Sequence, residues 1–246
     1  MKAAHAIAAE VRGQIARGEL GDGDALPVEN DLGEQLGVSK GVVREALRIL
    51  EHEGLVEVRR GLGGGPRVRH PSIGHAATAI GVYLQIGSVP VMDVWVARDR
   101  VIGAAVERLA IARATVPDLG AAVSELSSLV GDLDAYNAVL LDVNETAVRE
   151  AGNATELMVV AALRHVVAAE IEAASRALVD TRQAVMFEEL IAEKWHDIVR
   201  HIRAGRSAAA ARAFAAQADP VRDALAGTLG ATTVVEAARG GSRPRV

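Results

Sequence analysis

The stretch from Ser39 to Arg48 constrains this chain most, because as a helix it divides into two faces of opposite character. Apolar residues recur at i, i+3, i+4 and i+7, which predicts one buried stripe made of Val43, Ala46, Leu47 and Leu50. Cations recur every four residues on the opposite side, at Lys40, Arg44 and Arg48. Such a helix packs its apolar face against a core and offers its cationic face to an anion.

The residues before this helix predict a helix-turn-helix unit. An apolar helical pattern continues through Ile15, and Pro27 is expected to open a short second helix. Gly37 suits a C-terminal cap, because glycine adopts a left-handed conformation without steric cost. The Ser39 side chain is then expected to cap the next helix by accepting a bond from a free backbone N–H.

After Gly54 the apolar period changes to two, which predicts a two-stranded hairpin, or wing, around the glycine-rich residues 61–65. Positive charge is concentrated there, on Arg59, Arg60, Arg67 and Arg69. Taken singly, each of these arginines is ambiguous. As a cluster we expect them to contact phosphates, which position a protein on DNA without reading its sequence.

Composition limits the remaining possibilities. The 246 residues fit one small and one medium domain, and 2% aromatic residues with 50% hydrophobic residues favour helices built from Ala, Val, Leu and Ile. The chain has no Cys, which excludes disulfides, cysteine nucleophiles and thiolate metal sites. A formal net charge of -5 means that DNA binding requires a local basic patch. No apolar run suffices for a membrane span, so we expect a cytoplasmic protein without a membrane partner.

Four motifs in register resemble the winged helix-turn-helix of the GntR family of bacterial transcription regulators. They are Leu26-Pro27-Val28-Glu29, Leu36-Gly37-Val38-Ser39-Lys40, Val43-Arg44-Glu45-Ala46-Leu47, and the run from Leu50 to Val56. The resemblance implies that Ser39, Lys40, Gly41 and Arg44 contact double-stranded DNA in the major groove, and that Arg60 and Gly61 reach the minor groove. The cationic row adds Arg48 to the candidate DNA-binding residues.

Two alternatives and one departure qualify this assignment. Arg44 can instead form a surface ion pair with a neighbouring carboxylate, and Arg48 can instead pair with Glu51. The family usually has Arg where Lys40 stands, and lysine lacks the rigid fork that reads guanine. The operator sequence is therefore not transferable from relatives.

The rest of the chain predicts an all-α antiparallel bundle of six or seven helices, so the fold class is mainly α. Helix boundaries are indicated at Pro117, at the capping Asn153 and at Gly205. We expect a DNA-binding domain at 1–70, a linker at 71–75, a ligand-binding and dimerisation domain at 76–232 and a disordered tail at 233–246.

This second domain resembles the effector domain of the FadR subfamily, in fragments such as Trp95-Val96-Ala97-Arg98 and Glu150-Ala151-Gly152-Asn153. Many members of that subfamily hold a divalent metal through one Asp and three His, and the metal and an Arg bind a carboxylate effector. The corresponding positions here are Leu140, Asn144, His196 and Ala218. Leucine and alanine cannot ligate a metal, so no cofactor is expected.

Candidate effector-binding residues are Arg98, Asn144 and His196. Arg98 lies within an apolar stripe, where a cation is costly unless it is paired. It either pairs with an inward Glu or a backbone carbonyl, or it binds an anionic effector such as a carboxylate or an acyl-CoA. His196 can equally be a hydrogen-bonded core residue.

Together these features predict a ligand-responsive transcriptional regulator, a repressor, which binds a two-fold operator as a homodimer. The alternative is a constitutive dimeric DNA-binding regulator whose effector site has decayed. An enzyme is not expected, because the second domain shows no helical pair of metal ligands, no nucleophile motif and no phosphate loop.

Overall fold

A computed structural model describes residues 2–59, 61, 64–177, 181–229 and 234, without the side chains of 169–177, 181–183, 224, 225, 228 and 229. This part of the chain contains ten helices and two strands. In chain order they are α1 Lys2–Ala16, α2 Glu29–Leu36, α3 Lys40–His52, β1 Val56–Arg59, β2 Gly65–Val68, α4 Ile73–Ile86, α5 Val91–Ala112, α6 Pro117–Ser128, α7 Leu133–Glu150, α8 Ala154–Ala177, α9 Thr181–Arg203 and α10 Ser207–Leu229.

The chain divides into two compact units, Met1–Ala76 and Ala77–Val246. The division falls inside α4, which begins at Ile73 and so includes part of the stretch assigned from sequence to a linker. Helical bonding starts directly after Pro71, since the His75 N–H donates to the Ser72 carbonyl at 3.0 Å.

In the first unit, α3 packs against α1, α2 and β1. Its predicted apolar stripe is buried, and the side chains of Val43 and Leu50 are fully enclosed. The stripe meets apolar residues of the other elements in one core, namely Ala8, Val11, Ile15, Leu26, Leu55, Val56 and Val68. Burial of this face fixes which side of α3 remains exposed.

Two glycines make the turn between α2 and α3 possible. Gly37 has φ 64°, a left-handed conformation, and its N–H bonds the Glu34 carbonyl at the end of α2. Gly33 is buried because α3 approaches it closely, and a Cβ added there would lie 3.0 Å from the Val38 carbonyl oxygen. These positions bring Ser39 directly to the start of α3.

The wing is an antiparallel pair of β1 and β2 with Val56 opposite Val68 and Arg59 opposite Gly65. The predicted start of the second helix is wrong, because α2 begins at Glu29 rather than at Pro27. Ala25 forms a β-bridge with Arg67, and the Leu26 N–H donates to the Pro66 carbonyl at 2.9 Å. These bonds to β2 hold the chain extended up to Val28.

The second unit is a bundle in which α5 contacts α7, α8, α9 and α10. The predicted helix boundaries are confirmed at Pro117, which opens α6, and at Asn153, whose Oδ1 accepts the Thr155 and Glu156 N–H groups at 3.1 and 3.2 Å. Seven helices, α4 to α10, follow the wing in the described residues. The mainly α fold class is therefore confirmed.

Apart from Val234, the tail 233–246 lies outside the described residues. Val234 itself is buried and donates its N–H to the Val89 carbonyl at 3.2 Å. Over the described residues, no helix has the length and apolar character needed to cross a membrane.

Candidate nucleic-acid interface and effector cavity

The face of α3 opposite the buried stripe carries the predicted DNA-binding residues. Ser39, Lys40, Gly41, Arg44 and Arg48 are all exposed. Lys40 and Arg48 are eight residues apart, so the row of cations extends for about 12 Å along the helix. This row is long enough to follow several phosphates or base edges in one groove.

Arg44 is held by a carboxylate from the neighbouring helix. Its Nη2 donates to Glu29 Oε2 at 2.9 Å, and its Nε lies 3.2 and 3.3 Å from the two carboxylate oxygens. The bond from Arg44 lowers the pKa of the Glu29 carboxyl, so the pair is ionised at neutral pH. Both side chains remain accessible, with 56% of the Arg44 side chain and 34% of the Glu29 side chain exposed.

The other residues at the start of α3 and on its cationic face have weaker local partners. Ser39 is the N-cap residue, yet its side chain makes no capping bond and is therefore not the cap predicted from sequence. The Ser39 carbonyl instead accepts the Val42 and Val43 N–H groups at 2.9 and 3.2 Å. Arg48 lies 4.0 Å from Glu45 rather than beside Glu51.

In the wing, one acid offsets part of the positive charge. Glu57 accepts from Arg69 Nε at 2.8 Å and lies 3.6 Å from Arg59 Nη2. Arg67 donates instead to the Gly23 carbonyl at 3.1 Å. Gly61 is exposed with φ 101°, and Arg60 lies outside the described residues. The three described arginines and Glu57 leave a net positive wing.

The second unit contains a cavity of about 410 Å³ between α5, α7, α8, α9 and α10, which we call the effector cavity. Its wall is mainly apolar and includes Leu133, Leu140, Leu141, Phe187, Ile191 and Val221. Arg98 and Asn144, two of the three predicted effector residues, both line it. Its volume lies near the lower end of the range of about 300–1,000 Å³ that is typical of small-molecule sites.

Arg98 is the buried cation that the apolar stripe of α5 predicts. Only 2% of the residue is exposed, and its guanidinium carbon lies 5.0 Å from the centre of the Trp95 ring. Among the described residues its Nε has no hydrogen-bond partner. A desolvated guanidinium with an open donor favours an anionic ligand, because removing charge from water costs free energy that a bound anion offsets.

Among the described side chains, Asp99 is the acid that forms an ion pair with this guanidinium, with Oδ1 3.8 Å from Arg98 Nη1. Burial raises the pKa of Asp99 to about 6, although the charges of Arg98 and Arg222 act in the opposite direction. Burial also lowers the pKa of Arg98. The Asp99 carboxylate therefore neutralises the positive charge of Arg98 only in part.

Two further polar residues of the cavity wall, Asn144 and Arg164, already have partners, whereas the buried Trp95 Nε1 has none among the described residues. Asn144 is buried, and its amide nitrogen donates to the Leu140 carbonyl at 2.8 Å. Arg164 pairs with Glu145 at 2.9 Å. Sequence reasoning missed Asp99, Arg164 and Gln217 as lining residues, and the adjacency of Asp99 to Arg98 was the available signal.

The structure does not bring His196 to this cavity. The residue is exposed, and its Nε2 lies 2.8 Å from the Ser127 hydroxyl oxygen. Leu140, Asn144 and Ala218 do line the cavity, but two of them have hydrocarbon side chains. The residues at the subfamily's ligand positions therefore do not fit a divalent metal. Among the described residues, no group of three or more His, Cys, Asp or Glu is arranged to hold one.

Comparison with known proteins identifies the first unit. Residues 3–64 match the family described as "Bacterial regulatory proteins, gntR family". This range contains the helix-turn-helix and β1, and it ends directly before β2 of the wing.

Curated relatives match over part of their length. The mannosyl-D-glycerate transport/metabolism system repressor MngR of Escherichia coli is 51% identical over 57 residues, which are 23% of this chain and 24% of the relative. The uncharacterized HTH-type transcriptional regulator Rv0494 of Mycobacterium tuberculosis is 35% identical over 124 residues, 49% of each chain. The chain thus spans between a quarter and a half of the length of these relatives.

A solved structure extends the likeness of fold to both units. The chain described as Streptococcus agalactiae GntR superposes with a TM-score of 0.65 at 20% identity, over 89% of this chain and 99% of that one. At this identity the match establishes the fold alone. The match over residues 3–64 therefore places a domain of the GntR family of bacterial regulatory proteins in the N-terminal unit.

Proposed function

We propose that this chain is a transcriptional repressor that binds a two-fold DNA operator as a homodimer and responds to a small anionic effector. The observation that carries the proposal is the exposed row of Lys40, Arg44 and Arg48, set on a helix whose opposite face is fully buried. A helix of this kind next to a positive wing is the arrangement with which winged helix-turn-helix proteins contact duplex DNA. The relative MngR is a repressor, which supports the direction of regulation.

Homodimerisation is supported by an exposed apolar strip on α4. Tyr83 and Ile86 are each 80% exposed and Val82 is 47% exposed, one helical turn or less apart. A two-fold dimer would match a two-fold operator, whose half-site spacing the dimer sets. Analytical ultracentrifugation tests this: we expect about twice the 25.7 kDa mass of one chain, and a monomer after Tyr83→Lys and Ile86→Lys.

Response to an effector is supported by Arg98, which lines the effector cavity and whose buried Nε–H has no hydrogen-bond partner among the described residues. A ligand can shift DNA binding only if it has different affinities for DNA-competent and DNA-incompetent states. The rival function, a constitutive regulator with a decayed effector site, predicts that no small anion changes the affinity for DNA.

Gel shifts with the DNA upstream of the protein's own gene test the DNA-binding part of the proposal. We expect the wild-type chain to bind a discrete site and Arg44→Ala to bind it at least fivefold more weakly. Equal binding by both proteins would contradict the role of α3. Absence of binding to both this DNA and a pool of random duplexes would contradict the regulator itself.

A further inference from the structure

Lys40 differs chemically from the two other members of the cationic row on α3. The chain has 24 arginines and three lysines, and Lys40 is the one lysine in the row. An arginine guanidinium stays protonated in proteins, whereas the amine of a lysine becomes a nucleophile when it loses its proton. The face of α3 that is expected to contact DNA therefore contains one amine that can accept an acyl group.

The amine of Lys40 is accessible and has no carboxylate beside it. The side chain is exposed, and no described carboxylate lies within 4.0 Å of it, whereas Arg44 is bonded to Glu29 and Arg48 lies 4.0 Å from Glu45. At longer range the charge of Lys40 adds to the Arg44 bond, which lowers the pKa of the Glu29 carboxyl. Lys40 can therefore react without first breaking an ion pair.

The two other lysines provide comparisons within the same chain. Lys194 donates to Glu193 at 2.8 Å and lies 3.7 Å from Asp197, and 24% of its side chain is exposed. The bond to Glu193 raises the pKa of the Lys194 amine, so a smaller fraction of it is neutral at a given pH. Lys2 is exposed at the start of α1. Lys194 should therefore react slowly with any acylating reagent, and Lys2 should show the reactivity of an exposed lysine that is not part of the row.

The charge of the row favours one class of acyl donor. Arg44 and Arg48 lie one and two turns further along α3 than Lys40, and 70% of the Arg48 side chain is exposed. Glu29 and Glu45 offset two of the three charges, which leaves the row net positive. An acyl phosphate is anionic, so a net positive surface raises its concentration near the Lys40 amine. A neutral acyl donor gains nothing from these charges.

We propose that Lys40 is a site of acylation by a small acyl phosphate, and that this modification releases the chain from its operator. In the transfer, the neutral Nζ attacks the acyl carbon, a C–N bond forms, and the bond from that carbon to the phosphate oxygen breaks. Inorganic phosphate leaves, and the proton displaced from the nitrogen passes to water. The side chain changes from a cation to a neutral amide, so a contact to a DNA phosphate is lost. The release from DNA rests on the proposed function.

Peptide mass spectrometry of the full chain after incubation with acetyl phosphate tests the site. We expect acetylation of Lys40 to be at least about threefold faster than that of Lys194, because Lys194 must first leave its ion pairs. The preference for Lys40 over Lys2 should be larger with acetyl phosphate than with the neutral reagent N-acetoxysuccinimide, and it should decrease as salt is added. Arg48→Gln should slow the acetylation of Lys40 by acetyl phosphate, whereas Arg12→Ala, which removes a cation paired with Glu53, should not.

Operator binding before and after the same treatment tests the consequence. The wild-type chain should bind a duplex enriched from a random pool at least about fivefold more weakly after acetylation, since one charge is removed from each half-site contact. The treatment should leave the affinity of Lys40→Arg unchanged, because arginine is not acylated, whereas Lys194→Arg should respond like the wild type. In the wild-type chain, bound duplex should slow the acetylation of Lys40 but not that of Lys194, and this comparison requires no variant.

Three results would overturn the inference: acetylation of Lys194 or Lys2 by acetyl phosphate as fast as that of Lys40, the same preference for Lys40 with the neutral reagent, or an equal loss of operator binding in treated Lys40→Arg. Operator binding by a chain in which Lys40 is not selectively acetylated refutes this inference alone. Selective acetylation of Lys40 in a chain that binds no duplex refutes the regulator proposal alone.

Discussion

The pair of Arg44 and Glu29 predicts how two substitutions should change DNA binding in opposite directions. The Arg44 Nε–H and one of its two Nη2–H groups are bonded to Glu29, so these two donors are not free for DNA while the pair is intact. Binding must therefore exchange this carboxylate for a phosphate or a base, or share the guanidinium between them. Arg44→Ala removes the DNA contact, and Glu29→Gln removes the competing charge.

The magnitudes follow from exposure and contact type. Side-chain exposures of 56% and 34% make the pair a surface ion pair, so either substitution should leave the melting temperature nearly unchanged. A bidentate base contact contributes about 1–3 kcal/mol, so Arg44→Ala should weaken operator binding by about 5-fold to 150-fold per half-site. If Arg44 contacts a phosphate, the slope of log K against log salt should fall by about 0.9 for each half-site.

Fluorescence anisotropy with a labelled operator duplex at several salt concentrations measures both quantities. Glu29→Gln should tighten binding, most clearly at low salt, because it removes a negative charge beside the DNA. In the Arg44→Ala background the same change should have a much smaller effect, since no guanidinium is left to release. Arg12→Ala is the matched control: Arg12 pairs with Glu53, just beyond the C-terminal end of α3, with 45% of its side chain exposed.

Two outcomes would refute this reasoning. One is operator binding by Arg44→Ala that equals that of the wild type and of Arg12→Ala. The other is weaker binding by Glu29→Gln in the wild-type background, which would mean that the carboxylate positions Arg44 for DNA rather than competing with it.

Three further predictions concern stability. Burial raises the pKa of Asp99 in the folded state from 3.8 to about 6, so the folded protein binds this proton more tightly than the unfolded chain. The free energy of unfolding should therefore fall by up to about 3 kcal/mol as the pH rises from 4 through 6. Urea unfolding should show this loss in the wild type and in Asp93→Asn, at an exposed position, but not in Asp99→Asn. Gly37→Ala should destabilise the first unit by about 1–2 kcal/mol because φ is 64°, and Gly37→Asn by less; equal melting temperatures for the two would contradict the left-handed turn. Leu50→Ala should cost about 2–5 kcal/mol in urea unfolding, whereas Leu36→Ala, at a position 48% exposed, should cost far less; similar losses would mean that the face of α3 is misassigned.

The sequence predicted best those features that follow from a single helix or a single turn. The stripe through Val43 and Leu50 specifies both the buried face of α3 and its cationic face, because both follow from helical periodicity. In the same way the stripe on α5 predicts that Arg98 is buried. Gly37 was predictable because few residues adopt its conformation.

Contacts between distant parts of the chain were not predictable in this way. The extended path through Pro27 depends on bonds to β2, about forty residues away, and the partner of Arg44 comes from another helix. His196 follows buried Trp195, but one residue turns a helix by about 100°, which places its side chain at the surface. The roles of the candidate DNA-binding and effector residues remain predictions.

Selection of binding sites from a pool of random duplexes shows whether α3 reads a DNA sequence, and it assumes no operator. The full chain is incubated with the pool, and bound duplexes are sequenced after several rounds. We expect enrichment of a two-fold symmetric sequence, which is lost with Arg44→Ala and retained with Arg12→Ala. Enrichment that is unaffected by Arg44→Ala, or no enrichment with the wild-type chain, would contradict this expectation.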